Sequence, residues 1–357
     1  RAMDTNAIER ERGITILAKN TAINYKGVRI NILDTPGHAD FGGEVERIMN
    51  MVDGVILLVD AFEGTMPQTR FVLKKALEAN VLPIVVINKI DRENSKPLEI
   101  VNQVIDLFLE LEATDRQLDF PVLFASGING IAGFTPEIAK AKSMQPLLDK
   151  IIEYIPAPVS EPDKPLLFQP SLLDYNDYVG RIGIGKIIQG TLRVNEMVNC
   201  VRIDGSYKPF RIQKLYGFLG LSKIEIEEAF AGDIVAIAGL PDIHVGETVC
   251  NIGFEKALPK IHIDKPTVQM TFGTNTGPFA GTEGKFVTSS KLEERLFKEV
   301  QRDVSLLVDR GEVADEWIVS GRGELHLGVL IENMRREGFE FQVSRPRVIL
   351  KEIDGVI

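Results

Sequence analysis

Short hydrophobic runs recur through the first 157 positions and predict strands. Runs without polar interruptions are typical of strands that are buried on both faces of a sheet. The predicted strands are VRINILD at 28–34, GVILLVD at 54–60, LPIVVIN at 82–88 and PVLFAS at 121–126.

Between these runs, apolar residues recur at helical spacing. The helical segments are the face formed by Val45, Ile48, Met49 and Val52, the stretch from Pro67 to Asn80, and the run from Leu147 to Ile155. Strands that alternate with helices predict an α/β domain over 1–157, with a parallel sheet covered by helices on both faces.

A proline-rich segment separates this domain from the next. Residues 156–165 (PAPVSEPDKP) contain four prolines, and proline fits neither a helix interior nor a central strand. Beyond it, short β-like runs and glycine turns predict an antiparallel β-barrel over 165–262. Asp204-Gly205, between two such runs, is a hairpin signal.

The order of elements changes again over 266–350. PTVQMTFG predicts a strand, and Ser290 and Glu293 have the spacing of a capping box before a helix. Two strands follow, then a helix that ends at Gly338 and a last strand. The order strand-helix-strand-strand-helix-strand predicts an α+β domain of the ferredoxin-like type.

Composition narrows the class of protein without giving a function. An apolar fraction of 44% and a charged fraction of 26% are typical of a soluble globular protein. No apolar run reaches about 18 residues, and the charged first residues lack the apolar core of a signal peptide. The two cysteines, Cys200 and Cys250, favour a reducing cytoplasmic compartment and show no pattern of metal ligands or disulfides.

The charge balance argues against non-specific coating of nucleic acid. The chain has 41 Lys and Arg against 51 Asp and Glu, a net charge of −10, whereas phosphate neutralisation needs clustered cations. One group of arginines has two equally good interpretations, a local basic patch or an ordinary solvated helix end. These are Arg335, Arg336, Arg345 and Arg347.

The first chemical motif is DTPGHADF at 34–41, directly after a predicted strand. The Asp34 carboxylate could hold a water on Mg²⁺, and the Gly37 N–H could approach a γ-phosphate because no Cβ intervenes. Taken alone, His38 could be a turn residue, a metal ligand or a catalytic base. His244, His262 and His326 lack partners at ligand spacing and are interpreted as surface or hydrogen-bonded residues.

Two further motifs follow later strands, at the edge where open α/β sheets bind ligands. In Asn88-Lys89-Ile90-Asp91 the carboxylate of Asp91 could accept both N–H groups on the N1/N2 edge of guanine, a contact that adenine cannot make. Asn88 could bond base N7, and the stem of Lys89 could cover the ring. A backbone N–H at Ser126-Gly127 could meet guanine O6. In this order the motifs predict guanine specificity.

With these residues the chain resembles the translational GTPase family. Arg12-Gly13-Ile14-Thr15-Ile16, DTPGHADF, NKID and Ser126-Gly127 stand as in that family, although alanine usually follows the serine there. SGRGELHLGVLIENMRREGFEFQVSRPRV is similar to the third domain of elongation factor G. Within the family, GEVERIMNMVDGVILLVDAFEGTMPQTRFV and LDYNDYVGRIGIGKI look like the BipA/TypA group.

The resemblance implies a role for each matching residue. Thr15 would ligate Mg²⁺ in the GTP state, and Asp34 would hold the ion through water. Gly37 would contact the γ-phosphate, and His38 would orient the attacking water once the ribosome positions it. Ile14 would be one wing of an apolar gate around that histidine. Catalysis of this kind is mostly positioning and charge stabilisation.

One motif of the family is absent. The spacing G-x-x-x-x-G-K-[ST] of the phosphate-binding loop occurs nowhere in the 357 residues. We therefore expect a P-loop-type G domain that is incomplete at its N-terminus, lacking the central strand of its sheet. Without the amide cradle and lysine of that loop, this chain should bind nucleotide weakly and hydrolyse little of it.

The resemblance implies a ribosome-associated GTPase that uses GTP and Mg²⁺ in large-subunit assembly or stress-adapted translation. Its partners would be rRNA and ribosomal proteins, with tRNA a further candidate, and not a membrane. A monomer in the cytoplasm is expected, with an organelle also open. The alternatives are a translocation GTPase of the elongation factor G or LepA type and, from another class, a non-hydrolysing ribosome- or RNA-binding scaffold.

Overall fold

The computed structural model of the chain describes Met3 and residues 7–137, 140–263 and 265–350. After a short helix α1 (Ala7–Arg12), strands β1 (Lys19–Tyr25) and β2 (Val28–Asp34) form an antiparallel hairpin. Its two-residue turn, Lys26-Gly27, has φ of 49° and 77°, as a tight hairpin turn requires.

A separate sheet carries the other strands of the first domain. Its order is β3-β4-β5-β6, with the first three strands parallel and β6 antiparallel. The strands are β3 (Gly54–Asp60), β4 (Leu82–Asn88), β5 (Val122–Ser126) and β6 (Ile131–Gly133). The helices between and after them are α2 (Gly42–Met49), α3 (Pro67–Glu78), α4 (Pro97–Glu110), α5 (Asp115–Leu118) and α6 (Gln145–Tyr154).

The expectation that 28–34 belongs to the parallel sheet is wrong. Among the described residues β2 pairs only with β1, its neighbour through a two-residue turn. No described strand lies between β2 and β3 to join the two sheets. The α/β class itself is confirmed, because β3, β4 and β5 are parallel and helices cover both of their faces.

The buried strand β4 sits at the centre of this packing. Ile84, Val85, Val86 and Ile87 are all at most 1% exposed. On one face, residues of β4 pack with α3 and α4, and on the other face with α6. A continuous apolar run is what such a two-sided strand requires.

The outer edge of β3 is apolar and exposed. Leu58 is 60% exposed and Ile56 39%, and within the described residues β3 pairs only with β4. An unpaired edge of this kind is a template for aggregation. We expect Leu58→Lys to lower light scattering by residues 1–357 during heating, while changing stability by less than about 1 kcal/mol. Leu109→Lys, at a similarly exposed leucine on helix α4, is the matched control, and equal scattering by both variants would contradict the prediction.

The second domain is an antiparallel, barrel-like β-structure. Eight of its strands pair in the order β11-β10-β16-β7-β8-β15-β12-β13, and β9 pairs with β14. Side chains from both sheets share one apolar core, which includes Phe168, Leu192 and Ala229. The strands are β7 (Leu167–Asn176), β8 (Gly180–Gln189), β9 (Thr191–Arg193), β10 (Met197–Val201), β11 (Tyr207–Arg211), β12 (Lys214–Leu219), β13 (Ser222–Glu225), β14 (Glu228–Phe230), β15 (Ile234–Ala238) and β16 (Thr248–Asn251).

The predicted hairpin at Asp204-Gly205 is confirmed. Strands β10 and β11 pair antiparallel on either side of it, and Gly205 has a φ of 86°. Asp204 Oδ1 accepts a hydrogen bond from Ser206 N–H at 2.9 Å, which closes the turn.

The third domain has the predicted ferredoxin-like arrangement. Its sheet order is β18-β19-β17-β20, with β21 also paired to β17, and two helices cover it. The elements are β17 (Val268–Thr274), α7 (Ser289–Val300), β18 (Leu307–Arg310), β19 (Glu316–Gly321), α8 (Glu324–Glu337), β20 (Phe341–Val343) and β21 (Arg347–Val348).

Of the two predicted helix ends, one is confirmed and one is wrong. Helix α8 ends at Gly338, which has the left-handed φ of 96° that glycine adopts freely. Helix α7 begins after Thr288 and has no side-chain cap. Glu293 therefore does not close a capping box with Ser290; it pairs instead with Arg310 at 3.0 Å.

Candidate guanine nucleotide site

The carboxyl ends of β4 and β5 carry five of the predicted site residues. Asn88 ends β4 and Ser126 ends β5, in neighbouring parallel strands. Asn88 Oδ1 accepts a hydrogen bond from Gly127 N–H at 3.0 Å, which ties the two strand ends together. Ser126 is fully buried, and its hydroxyl accepts from Asn129 Nδ2 at 2.9 Å.

Lys89 is held in a specific conformation next to Asn88. Its φ is 64°, a left-handed value that costs free energy in a non-glycine residue and often marks a functional site. Its Nζ donates to Asp60 Oδ2 at 2.6 Å. Asp91 is exposed, whereas Ile90 between them is buried and anchors the loop.

Asp60, which belongs to none of the sequence motifs, organises this edge of the sheet. It ends β3, and its Oδ1 also accepts from Phe62 N–H at 2.8 Å. Burial opposes its charge, but the bonds from Lys89 and two backbone amides outweigh burial, so the pKa of Asp60 is lowered. The available signal was its position as the acidic last residue of an apolar strand.

The Gly127 amide has a partner within the chain. Since it donates to Asn88 Oδ1, it can meet guanine O6 only by sharing or exchanging that bond. The Nδ2 group of the same Asn88 side chain is the donor available for base N7. The expected contact between Ser126-Gly127 and guanine O6 therefore competes with a hydrogen bond inside the chain.

The remaining predicted residues lie with β2 and α1. Asp34 ends β2 opposite Lys19 of β1, and Gly37 is exposed with open space where a Cβ would stand. His38 Nδ1 accepts a hydrogen bond from Asp40 N–H at 3.2 Å. A neutral ring in this position carries its proton on Nε2, which makes Nε2 the donor toward a reacting group.

Thr15 and Ile14 lie in the loop between α1 and β1. Ile14 packs with a small apolar cluster that joins the first domain to helix α8 of the third. Its members are Ile8, Ile16, Phe41, Leu325 and Val329. The predicted gate residue therefore lies in the same cluster as Phe41 of DTPGHADF, three residues beyond His38.

The predicted residues thus form two groups on two sheets. Asn88, Lys89, Asp91 and Ser126-Gly127 lie at the edge of the β3–β6 sheet. The second group, beside the β1–β2 hairpin, consists of Ile14, Thr15, Asp34, Gly37 and His38. Within the described residues no strand joins the sheets that carry the two groups.

The second group has oxygen donors of the kind that Mg²⁺ prefers. Thr15 offers a hydroxyl and Asp34 a carboxylate, and a magnesium ion in nucleotide sites takes its other ligands from phosphate and water. Among the residues that the structure describes, no group of three His, Cys, Asp or Glu side chains could hold a metal by itself. These two residues therefore suit a metal that arrives with a nucleotide.

A charged network that no sequence motif indicates joins helix α2 to the third domain. His326 Nε2 lies 2.6 Å from Asp303 Oδ2, and Arg47 donates to Ser305 Oγ at 3.3 Å. Glu44 accepts from Ala18 N–H at 2.6 Å. Arg47 and its partner are 258 positions apart along the chain, so no local spacing indicates the contact.

Burial and charge shift the pKa values in this network. Burial raises the pKa of Glu44 to about 7. Burial disfavours the charged form of His326, but the Asp303 carboxylate outweighs it and raises the pKa of His326. Burial likewise opposes ionisation of Asp303, and the charge and hydrogen bond of His326 lower its pKa overall.

These shifts predict that this network contributes less to stability as the pH rises from about 5 to 8. Glu44 and His326 both hold protons in the folded chain that the unfolded chain has released, so their contribution is lost as the pH passes their folded pKa values. Thermal unfolding at pH 5.5 and 8 should show that Glu44→Gln removes about 1–2 kcal/mol of this loss. Glu63→Gln, at an exposed residue, is the control. A steeper pH dependence in Glu44→Gln would contradict the prediction.

Comparison with known families covers most of the chain. Residues 1–157 match the Elongation factor Tu GTP binding domain, 180–250 match Elongation factor Tu domain 2, and 286–345 match Elongation Factor G, domain III. The Large ribosomal subunit assembly factor BipA of Bacillus subtilis strain 168 is 62% identical over 356 residues, which is 100% of this chain and 58% of that protein. The chain belongs to the BipA/TypA group of translational GTPases.

Other members of the BipA group are similar over the same span. The proteins of that name from Escherichia coli K12 and Synechocystis PCC 6803 are 56% and 55% identical, and the chain covers 58% and 59% of their lengths. A crystal structure of a Thermus thermophilus protein shares the fold, with a TM-score of 0.69 at 20% identity, over 96% of this chain and 61% of that one. The chain thus spans about 58% of the length of its curated BipA relatives.

Proposed function

We propose that this chain is part of a ribosome-associated GTPase that cleaves GTP to GDP and phosphate during large-subunit assembly or stress-adapted translation. The arrangement at the ends of β4 and β5 carries the proposal. Asn88 is bonded to Gly127, and Lys89 is held by Asp60, so the guanine-recognition residues are fixed at one sheet edge. The BipA relatives, named as large ribosomal subunit assembly factors, support the ribosomal task.

In this proposal one set of residues binds the guanine base and another set acts at the phosphates. Asp91 accepts the N1 and N2 hydrogens of guanine, Asn88 reaches N7, and the stem of Lys89 covers the ring. Gly37 N–H binds the γ-phosphate, and His38 directs its Nε2 side to the attacking water. Backbone at Ser126-Gly127 reads O6.

Mg²⁺ would be held by the Thr15 hydroxyl and, through water, by Asp34. When bound, the ion neutralises phosphate charge. Ile14 restricts access to His38 from the apolar cluster beside it. The chain on its own lacks the phosphate-binding loop spacing, and we propose that residues 1–357 alone bind GTP weakly and turn over little of it.

The proposal includes three domains, at 1–157, 165–262 and 266–350, and partners in rRNA and ribosomal proteins, with tRNA as a further one. We propose a monomer that works in the cytoplasm, away from membranes. No helix in the described part of the chain has the length and apolar character needed to cross a bilayer. Arg335 and Arg336 are paired with Glu332, and Arg336 also with Glu11, so this part of the arginine group is occupied by carboxylates.

The test is GTP hydrolysis by the full-length gene product, with and without ribosomes, against ATP as a control. We expect ribosomes to stimulate GTP hydrolysis and to leave ATP hydrolysis at background. Ribosome binding without any nucleotide turnover would instead support the non-hydrolysing scaffold and refute the GTPase. A protein that hydrolyses ATP equally well would refute the guanine site.

A further inference from the structure

A carboxylate of the first domain covers the beginning of a helix in the third domain. Helix α8 follows Gly323, which has no side chain to accept hydrogen bonds from the first amides of the helix. Asp40 supplies an acceptor from outside, because Leu325 N–H donates to its Oδ2 at 2.9 Å. A Cβ on Gly323 would overlap the Asp40 carboxylate, which therefore fills the place of a capping side chain.

The same residue contacts the candidate catalytic histidine. Asp40 N–H donates to His38 Nδ1 at 3.2 Å, and Asp40 Oδ1 lies 3.5 Å from that nitrogen. Phe41 lies edge-on to both His38 and His326, with ring centroids 6.4 and 5.8 Å away. Phe41 N–H donates to the His38 carbonyl at 3.0 Å, so Asp40 lies within a short turn that begins at His38.

We propose that Asp40 is a positioning residue through which the third domain sets the orientation of His38. This inference rests on the proposed function and deepens it. With α8 docked, its positive N-terminus holds the Asp40 carboxylate, and the Asp40 amide keeps His38 Nδ1 as an acceptor. When α8 moves away, the carboxylate loses this partner and the turn loses its anchor. GTP cleavage then depends on the docking of the third domain.

The contact can be broken from the third domain without touching the first. In Gly323→Ala the added methyl group displaces the Asp40 carboxylate, while the φ of −176° at this position suits alanine. Gly328→Ala is the matched control, because it lies in the same helix and its Cβ would meet open space. Asp40→Ala removes the acceptor from the other side, and Asp40→Asn keeps an oxygen that can accept.

The readout is single-turnover GTP cleavage by the full-length gene product on ribosomes. We expect Gly323→Ala and Asp40→Ala to slow cleavage about 10- to 100-fold with unchanged GTP affinity, because misplacement of a reacting group acts on the rate. Asp40→Asn should retain most of the rate, and Gly328→Ala should stay within about two-fold of wild type. The double variant Gly323→Ala/Asp40→Ala should cleave GTP no more slowly than the slower of its two single variants.

A wild-type rate in Gly323→Ala, or losses that multiply in the combined variant, would overturn the proposal. Amide hydrogen exchange at Leu325 separates it from the proposed function, because exchange needs no nucleotide. Faster exchange in Asp40→Ala and Gly323→Ala than in Gly328→Ala supports the contact. Unchanged exchange overturns the contact itself. Absence of GTP cleavage in the wild type overturns the proposed function, and the positioning role with it.

Discussion

Replacing Asp91 with asparagine is expected to change the nucleotide preference of the full-length gene product from guanine to xanthine. The carboxylate accepts N–H groups from N1 and N2 of guanine, whereas the asparagine amide offers a donor that suits the C2 carbonyl of xanthine. Hydrogen bonds to a charged group contribute about 1.5–3 kcal/mol each. We therefore expect GTP affinity to fall about 100-fold or more and XTP affinity to rise.

Competition binding with GTP, XTP and ATP measures this exchange. Asp106→Asn, on the exposed surface of helix α4, is the matched control and should leave all three affinities unchanged. If Asp91→Asn retained wild-type affinity for GTP, the carboxylate would have no role in base recognition. The assignment of NKID as the guanine-binding loop would then be wrong.

Replacing His38 with alanine is expected to lower ribosome-stimulated GTP hydrolysis about 100- to 1000-fold. The imidazole presents Nε2 to the reacting water, because Nδ1 is engaged by the Asp40 amide. GTP affinity should stay the same, since His38 follows β2 and the guanine-binding residues follow β4 and β5. The loss should appear in the cleavage rate and not in binding.

Single-turnover cleavage and nucleotide binding, measured side by side, check this prediction. The exposed His262, which precedes the third domain, provides the control variant His262→Ala, with an expected wild-type rate. Equal cleavage by His38→Ala and wild type would remove His38 from the mechanism. A parallel loss of GTP affinity would mean that His38 supports the nucleotide site and does not act on water.

Most elements of the fold were predictable because their signals are local. A few neighbouring residues are enough to indicate the strands β3, β4 and β5 and the helix ends at Asn80 and Gly338. Asn80 has the left-handed φ of 56° that is expected just past the end of a helix. Strand β1 was not predicted, because its sequence KNTAINY mixes polar and apolar residues. The strand is exposed or half-buried along much of its length. Helix α4 carries a regular signal at Ile100, Val104 and Phe108, and this helix could have been found.

The pairing of β2 could not be predicted from its own residues. An apolar run indicates a strand but not its neighbours, and β2 takes the partner that a two-residue turn brings to it. The capping box failed because helix α7 begins earlier than the spacing indicates. The helix starts after Thr288, so Ser290 lies inside its first turn, and Glu293 pairs with Arg310.

The candidate site shows the same division between local and distant signals. The motifs around His38 and Asp91 were readable because each sits directly behind a strand. The Asp60 partner of Lys89 is 29 residues away, and the Leu325 partner of Asp40 is 285 residues away. Contacts between residues so far apart depend on the tertiary structure and cannot be predicted from sequence spacing.

If this chain is part of a GTPase, the two separate groups of residues act on one nucleotide. Ribosome-stimulated XTP hydrolysis by full-length Asp91→Asn, with and without His38→Ala, tests it most directly. We expect ribosomes to stimulate XTP hydrolysis in Asp91→Asn, and the added His38→Ala to reduce it about 100-fold or more. If ribosomes do not stimulate XTP hydrolysis by Asp91→Asn, or if this hydrolysis persists without His38, the two groups do not act on one nucleotide.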